Sequence, residues 1–378
     1  MHAKHCNWLL LAALPALAWG MRAGGGDTFA HKDWQLACDN TRTCRAAGYQ
    51  EEGGEHAVSV LLTRPAGSRA AVTGQLRLGD FNEGDQAWMT ALPERASVGL
   101  WIDGQRVGAL ALDKGLSSAD LPPPLVDALL AALRRDGRIE WRSGDVAWRL
   151  SGAGASAVLL KMDEVQGRLG TPGALVRRGK RDEALVLPPL PAPVVQAAAV
   201  PEAKAGTVLA PAQASAMRAR LRGSAGASDD CEALAVATAG DVANTDAEAE
   251  AITAWPLSST QQLVEARCWL AAYNVGYGYW VVADGQAPVQ VTDIGSEYDG
   301  NGTITSVQKG RGLFDCGWSE TWTWDGRAFV HTDSSGDGMC RTVSIAGAWA
   351  LPTWVAEVRP PARRGEGAGG PVPAGGTR

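Results

Sequence analysis

Histidine is scarce in this chain. Five occur in 378 residues, and only His31, His56 and His331 lie beyond the N-terminal apolar run. None falls in a His-Glu-x-x-His pattern, which removes a common zinc-protease arrangement. No Gly-x-Ser-x-Gly elbow and no phosphate-binding glycine loop occurs. There is no Cys-x-x-Cys, so a structural zinc site is not indicated and no cofactor is implied. The formal net charge is −6. A nucleic-acid partner is therefore not expected. No apolar stretch is long enough for a helical membrane span, which needs about 20 residues.

What is present starts with "MHAKHCNWLLLAALPALAWGMRAGGG". A short basic start precedes an apolar run from Trp8 to Trp19, and small residues follow. Residues 1–26 read as a cleaved secretory signal, with cleavage between Ala18 and Gly26. Cys6 leaves with it. Cys38, Cys44, Cys231, Cys268, Cys316 and Cys340 remain. An even number in an exported chain implies disulfides, and six cysteines allow 15 pairings. The layout along the chain favours Cys38–Cys44, Cys231–Cys268 and Cys316–Cys340. The expected compartment is the periplasm.

Composition divides the rest. Residues 27–185 form an N-terminal α+β domain. Residues 186–227 are rich in Ala and Pro and read as a semi-rigid linker. Residues 228–358 form a β-rich domain, and 359–378 read as a disordered tail. In the first domain Trp34, Leu36 and Cys38 alternate on a strand, and a Cys38–Cys44 bridge pins its hairpin. Asp103-Gly104 bends a second hairpin, and Trp141 and Trp148 flank a third. One helix carries Leu125, Leu129 and Leu133 at steps of four, after prolines and before Gly137. Another carries Val158, Met162, Val165 and Leu169 and ends at Gly170 and Pro172. The fold class is α+β, mainly β: an antiparallel sheet with two packing helices, then a disulfide-stabilised antiparallel β domain.

The stretch "RGLFDCGWSETWTWDGRAFVHT", residues 311–332, looks like an exposed site. Trp322 and Trp324 fall on one strand face, Asp325-Gly326 turns the chain, and Phe329 lies on the return strand. Cys316 and Cys340 bracket the hairpin. Architecture accounts for this pattern, and a ligand-facing platform of Trp318, Trp322 and Trp324 with Arg311 is the functional alternative. Two other segments cluster carboxylates. "EYDGNGTI" places Glu297, Asp299 and Asn301 as in a calcium loop, but its twelfth place is Gln308, so it reads as a polar bend. Asp163 and Glu164 are helical neighbours that point apart and read as a capped or solvated helix start.

Four segments carry a family resemblance: "DWQLACDNTRTCRAAGY", "LKMDEVQGRLGTPGALVRRG", "CWLAAYN" and "KGRGLFDCG…WTWDGRAF…C". Together they resemble the bacterial exported family catalogued as domain of unknown function eleven seventy-six. The resemblance implies an envelope protein of Gram-negative bacteria with no established activity. That family usually shows Gly-Asp-Cys-Gly where Phe314-Asp315-Cys316-Gly317 stands, so Phe314 replaces a Gly. The first domain is also similar to the invasion-associated locus B family, through Trp34 with Cys38 and Cys44, the "LWIDG" hairpin and the helix before "GRIEWR". That family carries a second cysteine pair ahead of the helix, which residues 105–125 lack. Neither resemblance supplies a catalytic residue.

Three functional expectations follow. The first is a non-enzymatic periplasmic protein that binds a protein or envelope component. The second is a module that binds glycan or peptidoglycan through its Trp-rich hairpins. The third is a hydrolase with carboxylates around Asp315, Asp325 and Asp333, which must converge in one cleft.

Overall fold

The computed structural model describes residues 26–91, 93–113, 117–203, 205–224, 231, 234 and 251–361. Nearly all of the signal segment, and the tail from residue 362, lie outside the described residues.

The chain opens with β1 (Thr28–His31), β2 (Trp34–Cys38), β3 (Cys44–Tyr49), β4 (Val58–Arg64), β5 (Thr73–Leu78) and α1 (Glu83–Ala91). Next come β6 (Arg95–Ile102), β7 (Gln105–Asp113), β8 (Ser118–Leu121), α2 (Pro123–Arg134), β9 (Ile139–Ser143), β10 (Val146–Leu150) and α3 (Ala155–Val165). Six of these strands form an antiparallel sheet ordered β1-β2-β3-β4-β5-β8, and four form a second ordered β10-β9-β6-β7. One apolar core joins both sheets to α2 and α3. Trp34, fully buried, lies against Gly48, where a Cβ would come within 2.2 Å of the ring. Its indole N–H donates to the Ser151 carbonyl at 2.8 Å.

The α2 stripe of Leu125, Leu129 and Leu133 is buried as its spacing requires. α3 stops at Val165, one turn earlier than spacing predicts, and Leu169 falls in the turn that follows. α1 was not legible: "EGDQAWMTA" buries only Asp85 and Met89, so it carries no apolar stripe.

The second half holds β11 (Val194–Gln196), β12 (Thr207–Val208), α4 (Pro211–Arg222), β13 (Ile252–Pro256), β14 (Gln261–Leu270), β15 (Val275–Ala283) and β16 (Val289–Gly295). It continues with β17 (Glu297–Tyr298), β18 (Thr303–Lys309), β19 (Gly317–Trp324), β20 (Phe329–Gly336), β21 (Leu351–Val355) and β22 (Glu357–Arg359). β12 to β16 form one five-stranded sheet and β17 to β21 another, each in sequence order. Trp255, Leu263 and Tyr279 of the first pack against Ile304, Trp322 and Trp324 of the second. The outer face of the β12–β16 sheet is covered by Ala214, Met217 and Leu221 of α4.

The stretch 186–227 thus contains β11, β12 and α4. Proline at the start of α4 opens a helix, where its missing N–H costs nothing, and the Ala-rich run favours continuing it. β11 pairs in parallel with β22.

The three disulfides are Cys38–Cys44, Cys231–Cys268 and Cys316–Cys340. The first closes the β2–β3 hairpin, and the second ties residue 231 to β14 beneath α4.

The two halves are joined by packing. Val343, Ala348, Trp349 and Leu351 cover the outer face of β2–β4 at Ala37, Ala47, Tyr49 and Leu61. The Trp349 indole N–H donates to Ser59 Oγ at 2.7 Å, and Arg341 pairs with Asp33 at 2.7 Å. Asn40 donates to the Val355 carbonyl at 3.0 Å and accepts the Val355 N–H at 2.8 Å. Asp337 sits at the same join, its N–H donating to the Gly317 carbonyl.

Burial pushes the Asp337 carboxyl up to about 6. An acid whose folded value is raised favours its neutral form. The fold therefore holds extra stability below the ordinary value near 3.8 and loses it as pH rises through about 6. Asp337→Asn is expected to raise stability at pH 7.5 by about 1 kcal/mol, discounted because the group is only half-buried. The gain should vanish near pH 4. Thermal melts at both pH values check this, and equal effects at the two would show that ionisation plays no part.

Candidate functional site

The Trp-rich stretch folds as the β19–β20 hairpin, turned at Asp325-Gly326. Asp325 Oδ1 accepts the Arg327 and Ala328 N–H groups, both at 2.8 Å. β18 and β19 pair without a register shift, so Trp318, Glu320, Trp322 and Trp324 share one face. On β20, Phe329 lies opposite Trp324 and His331 opposite Trp322. That face looks toward the β12–β16 sheet.

The neighbouring sheet covers this row unequally. Trp324 is fully buried and presents no surface. Trp322 is 8% exposed and Trp318 is 44% exposed. Where the sheets part, a cleft of about 340 Å³ opens between the β14–β16 edge and the β19–β20 hairpin. Gln261, Gln290, Val289, Trp322, Phe329 and His331 line it, with Arg327 at the hairpin end. None of its lining residues is a carboxylate, a hydroxyl or a thiol. The His331 ring lies 5.4 Å from that of Trp322, and its Nε2 is 3.4 Å from Glu320 Oε2. Such a site can press an aromatic face on a ligand ring and offer amide, imidazole and guanidinium groups to its polar edge.

Trp322 and its hairpin neighbours were visible in the sequence. Gln261 and Val289 were not, because nothing in a strand sequence announces which hairpin its edge will face.

Arg311 is engaged elsewhere. Its guanidinium grips Asp315 at 2.6 and 2.5 Å, and Asp315 also accepts the Thr342 N–H at 2.6 Å. Burial pushes the Asp315 carboxyl up, but the Arg311 and Thr342 hydrogen bonds outweigh it and hold the group below its usual value. Asp325 is spent in its turn. Asp333 lies opposite Thr321 on β20, and burial raises it. The three carboxylates of the hydrolase expectation thus occupy an ion pair, a turn and a strand.

Among the described residues, one group has metal-type donors in reach: Asp315, Cys316 and Cys340. Both sulfurs are held in a disulfide, so neither is a thiolate ligand. Asp299 Oδ1 accepts the Asn301 and Thr303 N–H groups at 2.7 and 2.9 Å, which makes "EYDGNGTI" a hairpin bend.

A second hollow, about 660 Å³, is rich in carboxylates, including Asp33, Glu51, Glu55, Asp136 and Glu140. Its inner members are already partnered. Arg341 and Ser151 hold Asp33, while Arg138 and Arg142 hold Glu140. Burial pushes Glu140 up, but these two guanidiniums win and keep it below its usual value. A carboxylate held ionised is a poor general acid.

The chain matches the family described as Protein of unknown function (DUF1176) over residues 28–356. It belongs to that family. A relative in sequence is the uncharacterized protein YpfG of Escherichia coli (strain K12), 24% identical over 349 residues, 85% of this chain and 90% of that protein. Among solved structures it is similar to the invasion associated protein b from Bartonella henselae, at 15% identity and a TM-score of 0.24 over 37% of this chain and 98% of that one.

The segments that carry the DUF1176 resemblance are structural joints here. In "LKMDEVQGRLGTPGALVRRG", the Gln166 amide donates to the Arg42 and Arg64 carbonyls, and Arg168 donates to Gln166 Oε1 and to the carbonyls of Pro65 and Gly67. In "CWLAAYN", Asn274 donates to the Lys309 carbonyl at 2.9 Å and accepts the Lys309 N–H at 2.8 Å, tying the two five-stranded sheets together. Phe314, which stands for a Gly, has φ of 54°. The turn keeps the left-handed conformation that a glycine favours even though the side chain has changed.

Asp163 departs from its expected role as a solvated helix residue. It is fully buried, accepts the Leu175 and Val176 N–H groups and faces Arg64 at 3.6 Å. Glu164 is the exposed neighbour, paired with Lys161.

Proposed function

We propose that this DUF1176 protein is a non-enzymatic binding protein of the bacterial periplasm, and that it seats an envelope carbohydrate in the cleft between β14–β16 and the β19–β20 hairpin. The observation that carries this reading is the lining. Phe329 offers an aromatic surface, Trp322 forms the floor, and Gln261, Arg327 and His331 supply hydrogen-bonding edges. Glycoside hydrolysis ordinarily needs two carboxyl groups flanking the bond, and the lining offers recognition groups in their place. The signal-like N-terminus and the three disulfides support the compartment. No helix among the described residues is long and apolar enough to cross a membrane.

The test is calorimetric titration with soluble peptidoglycan fragments. Val289, at the cleft mouth, is 62% exposed, so Val289→Arg can block the cleft without touching the core. Wild type should bind, and the variant should bind at least about tenfold more weakly with an unchanged melting temperature. Absence of binding by wild type, or equal binding by a folded Val289→Arg protein, overturns the reading.

A further inference from the structure

The cleft continues onto an open strip of β19. Trp318 and Trp322 share a face and are four residues apart, about 13 Å at ~3.3 Å per residue. Glu320 lies between them and His331 stands opposite Trp322 on β20, with side chains 26% and 37% exposed. An exposed indole thus sits in line with a closed-in one, with the Glu320–His331 contact beside the second. This layout suits a ligand longer than one ring.

Charge narrows the class. The protein is acidic overall, at −6, so a polyanion gains no general attraction to it. Within the cleft the balance reverses. Arg327 is exposed at the hairpin tip, and no carboxylate stands among the lining residues. Glu320 lies on the strip outside the cleft and is already faced by His331. A guanidinium offers a planar fork to a carboxylate, which a neutral hydroxyl does not match.

Resting on the carbohydrate reading above, we propose that the ligand is an acidic oligosaccharide. One ring lies over Trp318, and a carboxylate-bearing ring sits in the cleft against Arg327. The Glu320–His331 pair offers hydrogen bonds to the hydroxyls between them.

The probes are an oligogalacturonate and the same oligosaccharide with its carboxylates reduced to alcohols, titrated into the full protein. The acidic form should bind at least about tenfold tighter. Arg327→Gln should erase that difference, weakening the acidic form at least about tenfold more than the reduced form. Trp318→Ala should weaken the oligosaccharide but leave galacturonate monomer unchanged. Arg327 and Trp318 are exposed, and melting temperatures confirm folding of both variants. Equal affinity for the two probes, or a preference that survives Arg327→Gln, overturns the acidic assignment and leaves the carbohydrate reading standing. Failure of both probes to bind, with peptidoglycan fragments also silent, removes both.

Discussion

Asp163→Leu is expected to destabilise the protein by about 3–5 kcal/mol, the usual consequence of removing one partner from a buried ion pair. Leucine is the larger side chain, so no cavity opens, and some overpacking adds to the cost. It strands the Leu175 and Val176 N–H groups and leaves the Arg64 guanidinium buried without its carboxylate. Each stranded donor costs about 1–3 kcal/mol, and the terms overlap because all belong to one network. Glu164→Leu, one residue on, removes only an exposed pair with Lys161 and should change stability by less than about 0.5 kcal/mol. Urea unfolding of the two variants separates the cases. A loss below about 1 kcal/mol for Asp163→Leu would show that water reaches the network.

Trp349→Ala should cost about 3–5 kcal/mol, in the range for truncating a large buried aromatic. The indole packs between the halves, donates to Ser59 Oγ and lies beneath the Arg77 guanidinium at 5.3 Å. Its removal should change cooperativity as well as midpoint. Wild type is expected to unfold in one transition, because the cover over β2–β4 belongs to the second half of the chain. The variant should separate into two, with amide protection lost first on the outer face of β3. A wild type that already melts in two steps would show that the join is weak.

Local features were the legible ones. The Asp103-Gly104 and Asp325-Gly326 bends follow from residues that accept positive φ. The disulfides joined cysteines separated by 6, 37 and 24 residues, close enough for chain layout to suggest them. The α2 stripe declared its buried face. Contacts between distant segments were not legible. Nothing in "VVQ" shows that it pairs with "EVR" near the other end of the chain. The proline-rich stretch looked like a spacer because α4 has a weak apolar face, and packing rather than pattern fixes it. Asp163 looked solvated because its partner, Arg64, lies on a strand far back in the sequence. The cleft was half legible: Trp322 and His331 came with the hairpin, and Gln261 and Val289 came only with the arrangement of sheets.

The cover on the N-terminal sheet has a consequence for how the protein is made. Trp349 meets Ser59 across 290 residues of chain. At about 5–20 residues per second, the ribosome needs roughly 15–60 s to supply that cover. Until then Ala37, Ala47, Tyr49 and Leu61 form an uncovered apolar patch on strands that can otherwise pair. A chain cut short before residue 343 would carry that patch permanently, as a natural target for chaperones and proteases.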